Sequence, residues 1–496
     1  MELISLEVFV DNSSPVKTQE EVKQPVTESN SETQHLMVVN GITYNYTATA
    51  GTILLKEEDF ETGDKPKATI FYIAYVLNNP LNSSPRPVTF SFNGGPGSSS
   101  VWMHLGLLGP KRVLMDDEGL ALPPPYKLID NDCTLLTHSD LVFIDPVSTG
   151  YSRAVPKEKP DQFHGVKNDI QSVAEFIRLW VTRNKKWASP KYLIGESYGT
   201  TRAAGLSEYL QSRFGMYLNG VMLVSSILNF VTAEFSPGND LPYVLFLPTY
   251  TAAAWYHQKL KTSYQNDFLG TIQKVKEFAK TEYSQALMLG NKLDPKESER
   301  IAKKVADFTG LSQDYVKQSR LRINIHRFVK ELLRSEGKTI GRLDSRFVGF
   351  DRDAAGEFHE SDPSYTAILG PYSSMLNDYV RRDLNYENDR LYEILSNLYT
   401  TWKYDDYQNQ YVNTAEQLRV SFQSNPNLKV MIFNGYFDLA TPFFATEYTF
   451  DHLELPDKVL ANIEMKYFHS GHMMYIQKSS LLQMAKDLRS FIENSH

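Results

Sequence analysis

The sequence predicts an α/β fold: a mixed, mostly parallel sheet, helices on both of its faces and a helical cap inserted late in the chain. Three observations predict it. Between residues 141 and 224, short apolar runs of strand length alternate with segments whose apolar residues recur at helical spacing. A further apolar run, Lys429-Val430-Met431-Ile432-Phe433, returns only after a long charged, aromatic and helix-compatible stretch. Finally, Tyr192-Leu193-Ile194 runs straight through Gly195-Glu196-Ser197-Tyr198-Gly199 into a segment rich in Thr and Ala, which reads as strand, sharp turn and helix.

The elements follow in order. Residues 1–35 read as a disordered leader: 11–34 are rich in Ser, Thr, Glu, Gln and Pro. The apolar residues ahead of them are interrupted by Glu7 and lack a basic flank, which makes a poor signal peptide. Residues 37–47 and 68–76, with many β-branched and aromatic side chains, look like opening antiparallel strands. Val88-Thr89-Phe90-Ser91-Phe92 is another strand and leads into a glycine loop at Asn93. Leu141-Val142-Phe143-Ile144 is a buried-strand run, and Ile170, Val173, Ala174, Ile177, Trp180 and Val181 then share one helical face. The strand at 192–194, a helix over 200–213 and a strand at 220–224 complete a β-α-β-α-β order, which implies a parallel sheet. Residues 36–235 and 416–496 are read as the core and 236–415 as the helical insertion, with Gly310 capping a helix that carries Ile301, Val305 and Phe308. A closing amphipathic helix spans 481–492.

Composition narrows the function. A chain of 496 residues, 42% hydrophobic, can bury a large core. A net charge of −8 argues against tracking nucleic-acid phosphates. No apolar run is long enough to span a membrane. Cys133 is the sole cysteine, so no intrachain disulfide can form. No cofactor and no metal are expected, and composition leaves the oligomeric state open.

The turn at Ser197 is a G-x-S-x-G elbow, in which the serine hydroxyl projects from a strained turn between strand and helix. A serine hydroxyl is a poor nucleophile near neutral pH, so it needs a base, and the base needs an orienting acid. For an elbow serine the acid and then the histidine follow later in the chain. His472, in Ser470-Gly471-His472-Met473, is the base candidate, with His469 as its rival. Asp438 follows the strand 429–433 and is the acid candidate. Singly, each reads as easily as a surface histidine or a turn-capping aspartate; their order after the elbow favours the catalytic reading. Asn93-Gly94-Gly95-Pro96-Gly97 could expose backbone N–H groups to an oxyanion. It also fits an ordinary tight turn, and it lacks the Lys-[ST] ending of a phosphate loop.

These motifs, together with Asp145-Pro146 and Gly150-Tyr151-Ser152, resemble the serine carboxypeptidases of the α/β-hydrolase class, over most of residues 85–235 and 425–495. The chain is taken as a bacterial-type member. The resemblance implies Ser197 as nucleophile, His472 as base and Asp438 as its orienter, with the N–H groups of Gly95 and Tyr198 as the oxyanion hole. Asn93, with Gly94 beside it, and Glu196 would hold the C-terminal carboxylate of a peptide or protein substrate. It also implies an exported enzyme.

Two departures bear on recognition. The family has Cys after the glycine loop, where this chain has Ser98. More telling, the family has Glu where Leu107 stands, and that Glu shares a proton with the one matching Glu196 so that the pair binds a carboxylate. Glu196 alone would tend to repel one, and Arg202 is the candidate for a compensating positive charge. The alternatives are therefore an esterase or acyltransferase using the same triad, or a non-catalytic binding protein. The residues of the substrate pocket are least legible; Tyr243, Phe246, Tyr250 and Trp255 are aromatic candidates that core packing explains equally well.

Overall fold

A computed structural model describes residues 26–61, 63–78 and 85–495. The strands of the main sheet are β1 (Asn30–Val39), β2 (Ile42–Glu57), β3 (Lys65–Leu77), β4 (Val88–Phe92), β5 (Asp140–Ile144), β6 (Lys191–Glu196), β7 (Gly220–Val224), β8 (Lys429–Gly435) and β9 (Ile463–Phe468). They lie in the order β1-β2-β3-β5-β4-β6-β7-β8-β9, with the two-residue strand Arg153–Ala154 beside β3. The first three pair antiparallel, as do β3 and β5, and every pair from β5 to β9 is parallel. Strands β4, β5 and β7 are buried at every residue, as expected where helices cover both faces of a parallel sheet.

Alternation along each strand divides the core into two layers. Tyr192, Ile194, Met222, Val224, Met431 and Phe433 point into one layer, and Leu193, Val221, Leu223, Val430 and Ile432 into the other. The second layer is closed by α1 (Val166–Arg183) and α2 (Tyr198–Phe214); the predicted face of Ile170, Val173, Ala174, Ile177, Trp180 and Val181 is buried there. The first layer is closed by two helices, α3 (Pro363–Arg382) and the final helix α4 (Lys478–Glu493). A third apolar cluster lies outside the sheet, built from residues 244–340 and joined by Phe437, Leu439 and Phe443 to Ala445.

Several expectations need correction. Residues 30–35, read as leader, are strand, paired through Asn30–Gly51 and the following register to β2; their alternation of polar residues masked it. Residues 1–25 of that leader lie outside the described residues. Strand β9 was not expected, because it is an edge strand with Glu464 and Lys466 facing out and little apolar signal. Within the segment expected as a cap, α3 instead buries Ile368, Tyr372, Leu376 and Tyr379 against the sheet.

Candidate active site

Four loops leave the carboxyl ends of β4, β6, β8 and β9 and converge, the usual location of a site in a parallel sheet. Ser197 follows β6 with φ +60° and ψ −129°, a conformation a non-glycine residue holds only under constraint, at a cost of about 1–3 kcal/mol. The constraint is packing on both sides. A Cβ on Gly195 would fall 2.1 Å from the Gly199 carbonyl, and one on Gly199 would fall 2.6 Å from the carbonyl of Phe92. The helix α2 and strand β4 therefore press against the turn and force Ser197 outward.

The glycine loop after β4 sits against the same turn. A Cβ on Gly94 would lie 2.4 Å from the Tyr198 nitrogen, so the loop backbone and the first N–H of α2 are in direct contact. Tyr198 is the first helical residue, and its N–H has no intrahelical acceptor. Gly95 (φ +103°) and Ser197 line one cavity with His472 and a second with Tyr198.

His472 and Asp438 are buried and face each other, with Nδ1 2.8 Å from Oδ2. A carboxylate only accepts, so Nδ1 carries the proton and Nε2 is left as the acceptor a general base needs. Asp438 is held in turn by N–H donation from Ala440 (2.8 Å) and Thr441 (3.1 Å) to Oδ1, and by the Thr441 hydroxyl to Oδ2 (2.5 Å). The His472 backbone is pinned by the Ser225 hydroxyl, which donates to its carbonyl at 2.7 Å. Burial alone would lower the imidazole pKa; the adjacent Asp438 carboxylate outweighs it and raises it above the ordinary value. The rival His469 packs among Phe268, Tyr436 and Phe437, and it is His472, the histidine preferred from its loop position in the sequence, that meets the acid.

A segment that sequence reasoning missed joins the acid loop to the histidine loop. The Leu343 carbonyl accepts from the His472 N–H (2.7 Å), the Arg342 carbonyl from Leu439 (3.1 Å), and Ser345 donates its N–H to the Phe437 carbonyl (3.0 Å). Asp344 accepts from the Gly471 N–H at 3.1 Å and pairs with Arg346, which reaches the Ser470 hydroxyl. These contacts are mainly to backbone, so no motif announces them.

The recognition side departs from expectation. Glu196 is buried, and burial pushes its carboxyl up to about 7 despite the opposing influence of His472, Tyr475 and Asn93. Its partner is Tyr475, whose hydroxyl donates to Oε2 at 2.5 Å. Leu107 is buried in the apolar layer. Asn93 turns its amide toward Glu196 and Tyr475 while its Oδ1 accepts from the Met103 N–H; Nδ2 has no complete hydrogen bond. Asn93, Gly94, Gly95, Glu196, Ser197 and His472 all line one cavity of about 860 Å³. Arg202 does not. It is wholly buried behind the elbow, donating Nε to Asp169 at 2.7 Å and Nη1 to the Asn93 carbonyl at 2.7 Å, with Phe92 and Tyr198 rings against it. Its charge is consumed by Asp169, so the expectation that it meets substrate is overturned.

Of the aromatic candidates only Phe246 reaches a cavity beside Ser197, a second one of about 450 Å³ that also contains Phe230 and Phe235. Tyr243 packs on Phe235, Tyr250 stacks on Phe328 and Trp255 packs on Phe268. Among the described residues no cluster of His, Cys, Asp and Glu forms a metal site.

Comparison with known proteins decides the family: a family model for serine carboxypeptidases matches residues 58–486. The chain belongs to the serine carboxypeptidase family. Among curated relatives, the pheromone-processing carboxypeptidase KEX1 of Saccharomyces cerevisiae is 35% identical over 104 residues, covering 21% of this chain and 13% of that protein. The retinoid-inducible serine carboxypeptidase of Mus musculus is 26% identical over 198 residues, 38% of this chain and 39% of the relative. The match thus spans well under half the length of these relatives. The crystal structure of the Saccharomyces cerevisiae prohormone-processing carboxypeptidase aligns with a TM-score of 0.55 at 17% identity, over 90% of this chain and 91% of that one, which carries the α/β-hydrolase fold. These relatives come from yeast and mouse and lend no support to a bacterial-type assignment.

Proposed function

We propose that this family member removes C-terminal residues from peptides through an acyl-enzyme on Ser197. The observation that carries the reading is the buried Asp438–His472 pair opening onto the same cavity as the strained Ser197, with Asn93 and Glu196 alongside. In this mechanism His472 Nε2 takes the Ser197 proton as Oγ attacks the scissile carbonyl, and the N–H groups of Gly95 and Tyr198 receive the developing oxyanion. The proton passes to the leaving amine, and a water activated by the same imidazole releases the acyl group. Glu196, mainly protonated below about pH 7, would there admit the substrate's carboxylate rather than repel it.

The helical cluster of residues 244–340 would form the roof of the cleft, while α3 belongs to the core. Export, as the resemblance implies, is testable by cell fractionation; among the described residues no helix is long and apolar enough to cross a membrane. The buried Leu107 favours one second reading, an esterase or acyltransferase on the same triad. A fluorophosphonate should label Ser197, and peptides with a free C-terminus should be cleaved while their amides are not. Equal turnover of acids, amides and simple esters would instead establish the second reading, and no labelling would dismiss both.

A further inference from the structure

Leu107 stands where the family resemblance implies a second carboxyl and Arg202 is locked to Asp169, yet the cleft still contains a cation. Arg342 lines both cavities that flank Ser197, and so stands where they meet. Its guanidinium makes no ion pair among the described residues. Three acids line these cavities with it, Glu196, Asp362 and Glu234, and none is ion-paired to it; the Asp362 carboxylate is engaged by other donors. It accepts the N–H groups of Arg342 (3.2 Å), Leu343 (3.3 Å) and Ser364 (3.0 Å) and the Ser364 hydroxyl. Asp362 therefore fixes the Arg342 backbone and leaves the side-chain charge unmatched. The Arg342 carbonyl, bonded to the Leu439 N–H, ties the same residue to the acid loop.

We propose that Arg342 binds a substrate carboxylate and is the specificity-determining cation of this cleft. The inference rests on the carboxypeptidase reading for its natural substrate, but the anion site itself is defined by the structure. A guanidinium half-sheltered in a cleft gains most from a planar, bidentate carboxylate, because its own hydration there is incomplete. His359 lines the same cavity with an enclosed Nδ1 that has no hydrogen-bond partner among the described residues, and His326, its ring 6.2 Å from that of His359, lines both cavities with Arg342. Burial first, then the charge of Arg342, holds His326 below its ordinary pKa, which leaves Arg342 as the standing positive charge. The carboxylate is either the free C-terminus or an acidic side chain next to the scissile bond.

Two variants test this, Arg342→Gln and Arg342→Lys, each first checked for a wild-type circular dichroism spectrum and complete, stoichiometric fluorophosphonate labelling of Ser197. For peptides carrying the recognised carboxylate, Arg342→Gln should lose about 10- to 100-fold in kcat/KM, mostly in KM, and Arg342→Lys should recover part of it. If the C-terminus is the ligand, the preference for free acid over amide collapses. If a side chain is, the preference for Asp or Glu over Asn or Gln collapses instead. In parallel, N-acyl amino acids should protect wild-type Ser197 from labelling better than their amides, and Arg342→Gln should abolish that difference. Peptide cleavage with all these ratios unchanged within about 2-fold in Arg342→Gln would overturn the proposal while leaving the carboxypeptidase reading intact. Arg342-dependent protection without any peptide cleavage would do the reverse.

Discussion

Ser197 is held by backbone: Gly94, Gly195 and Gly199 let strand, loop and helix close on it with no room for a side chain. Glu196, one residue upstream, is held by a side chain distant in sequence, Tyr475, and lines a cleft that also contains Arg342, which forms no ion pair among the described residues. The reacting half of the cleft is thus fixed by contacts that few substitutions survive. The half proposed to recognise substrate is assembled from single side chains, and there Leu107 stands where the resemblance implies a second carboxyl. The difference teaches that backbone packing fixes the turn at Ser197, whereas the surroundings of Glu196 depend on single side chains that a substitution can change.

The strongest way to break the comparison is at the nucleophile. Ser197→Ala should lower peptide hydrolysis by about 10⁴-fold or more and abolish fluorophosphonate labelling, leaving substrate KM little changed. Retention of labelling would move the nucleophile elsewhere. Next, Gly94→Ala inserts a Cβ 2.4 Å from the Tyr198 nitrogen, which displaces the loop from the elbow. A fall of about 10²- to 10³-fold in kcat is expected, read in steady-state kinetics, because an oxyanion donor is lost. A wild-type kcat in folded Gly94→Ala would show that the loop does not serve the oxyanion.

Arg202→Ala probes the seam between the halves. It leaves Asp169 buried and unpaired, so chemical denaturation should report a loss of about 3–5 kcal/mol. The free-acid preference of the surviving folded protein should be unchanged; its collapse would return Arg202 to the substrate.

The smallest effects concern pH. The Glu196 carboxyl, raised to about 7 by burial from an ordinary 4.5, is protonated in the folded protein below that pH. The folded state therefore binds the extra proton, and the associated stability is present below 4.5 and lost as pH rises through about 7. Activity on free-carboxylate peptides should fall over the same window, as a charged Glu196 comes to face the substrate. In Glu196→Gln that alkaline fall should vanish, while the acidic limb set by protonation of His472 persists. Tyr475→Phe removes a bond that favours the ionised carboxylate, so the alkaline limb should move to higher pH. Unchanged pH profiles in both variants would detach Glu196 from recognition.

Much of the sheet was legible because its strands are short, apolar and separated by regular helical faces; β4 to β8 and α1 fall where periodicity predicts them. Where a strand lay at an edge, as β1 and β9 do, one face met solvent and the apolar signal faded. Helix α3 was read as cap because it lies within the long helix-compatible stretch 236–415, although its Tyr372 and Leu376 bury against the sheet. Among site residues, those within the motifs were legible by type and order. Tyr475 and the backbone contacts of the Arg342 to Arg346 segment were not, since they join parts of the chain far apart in sequence or act through backbone atoms.

The amino-acid sequence by itself determined the class of sheet, the elbow serine and the order of acid and histidine behind it, because these depend on local spacing and glycine sterics. Only the tertiary structure decided which histidine meets Asp438, that Arg202 is locked to Asp169, and that Tyr475 stands beside Glu196. Those outcomes turn on which buried charges find partners across the fold. Desolvation makes that choice in three dimensions, where spacing along the chain carries no information about it.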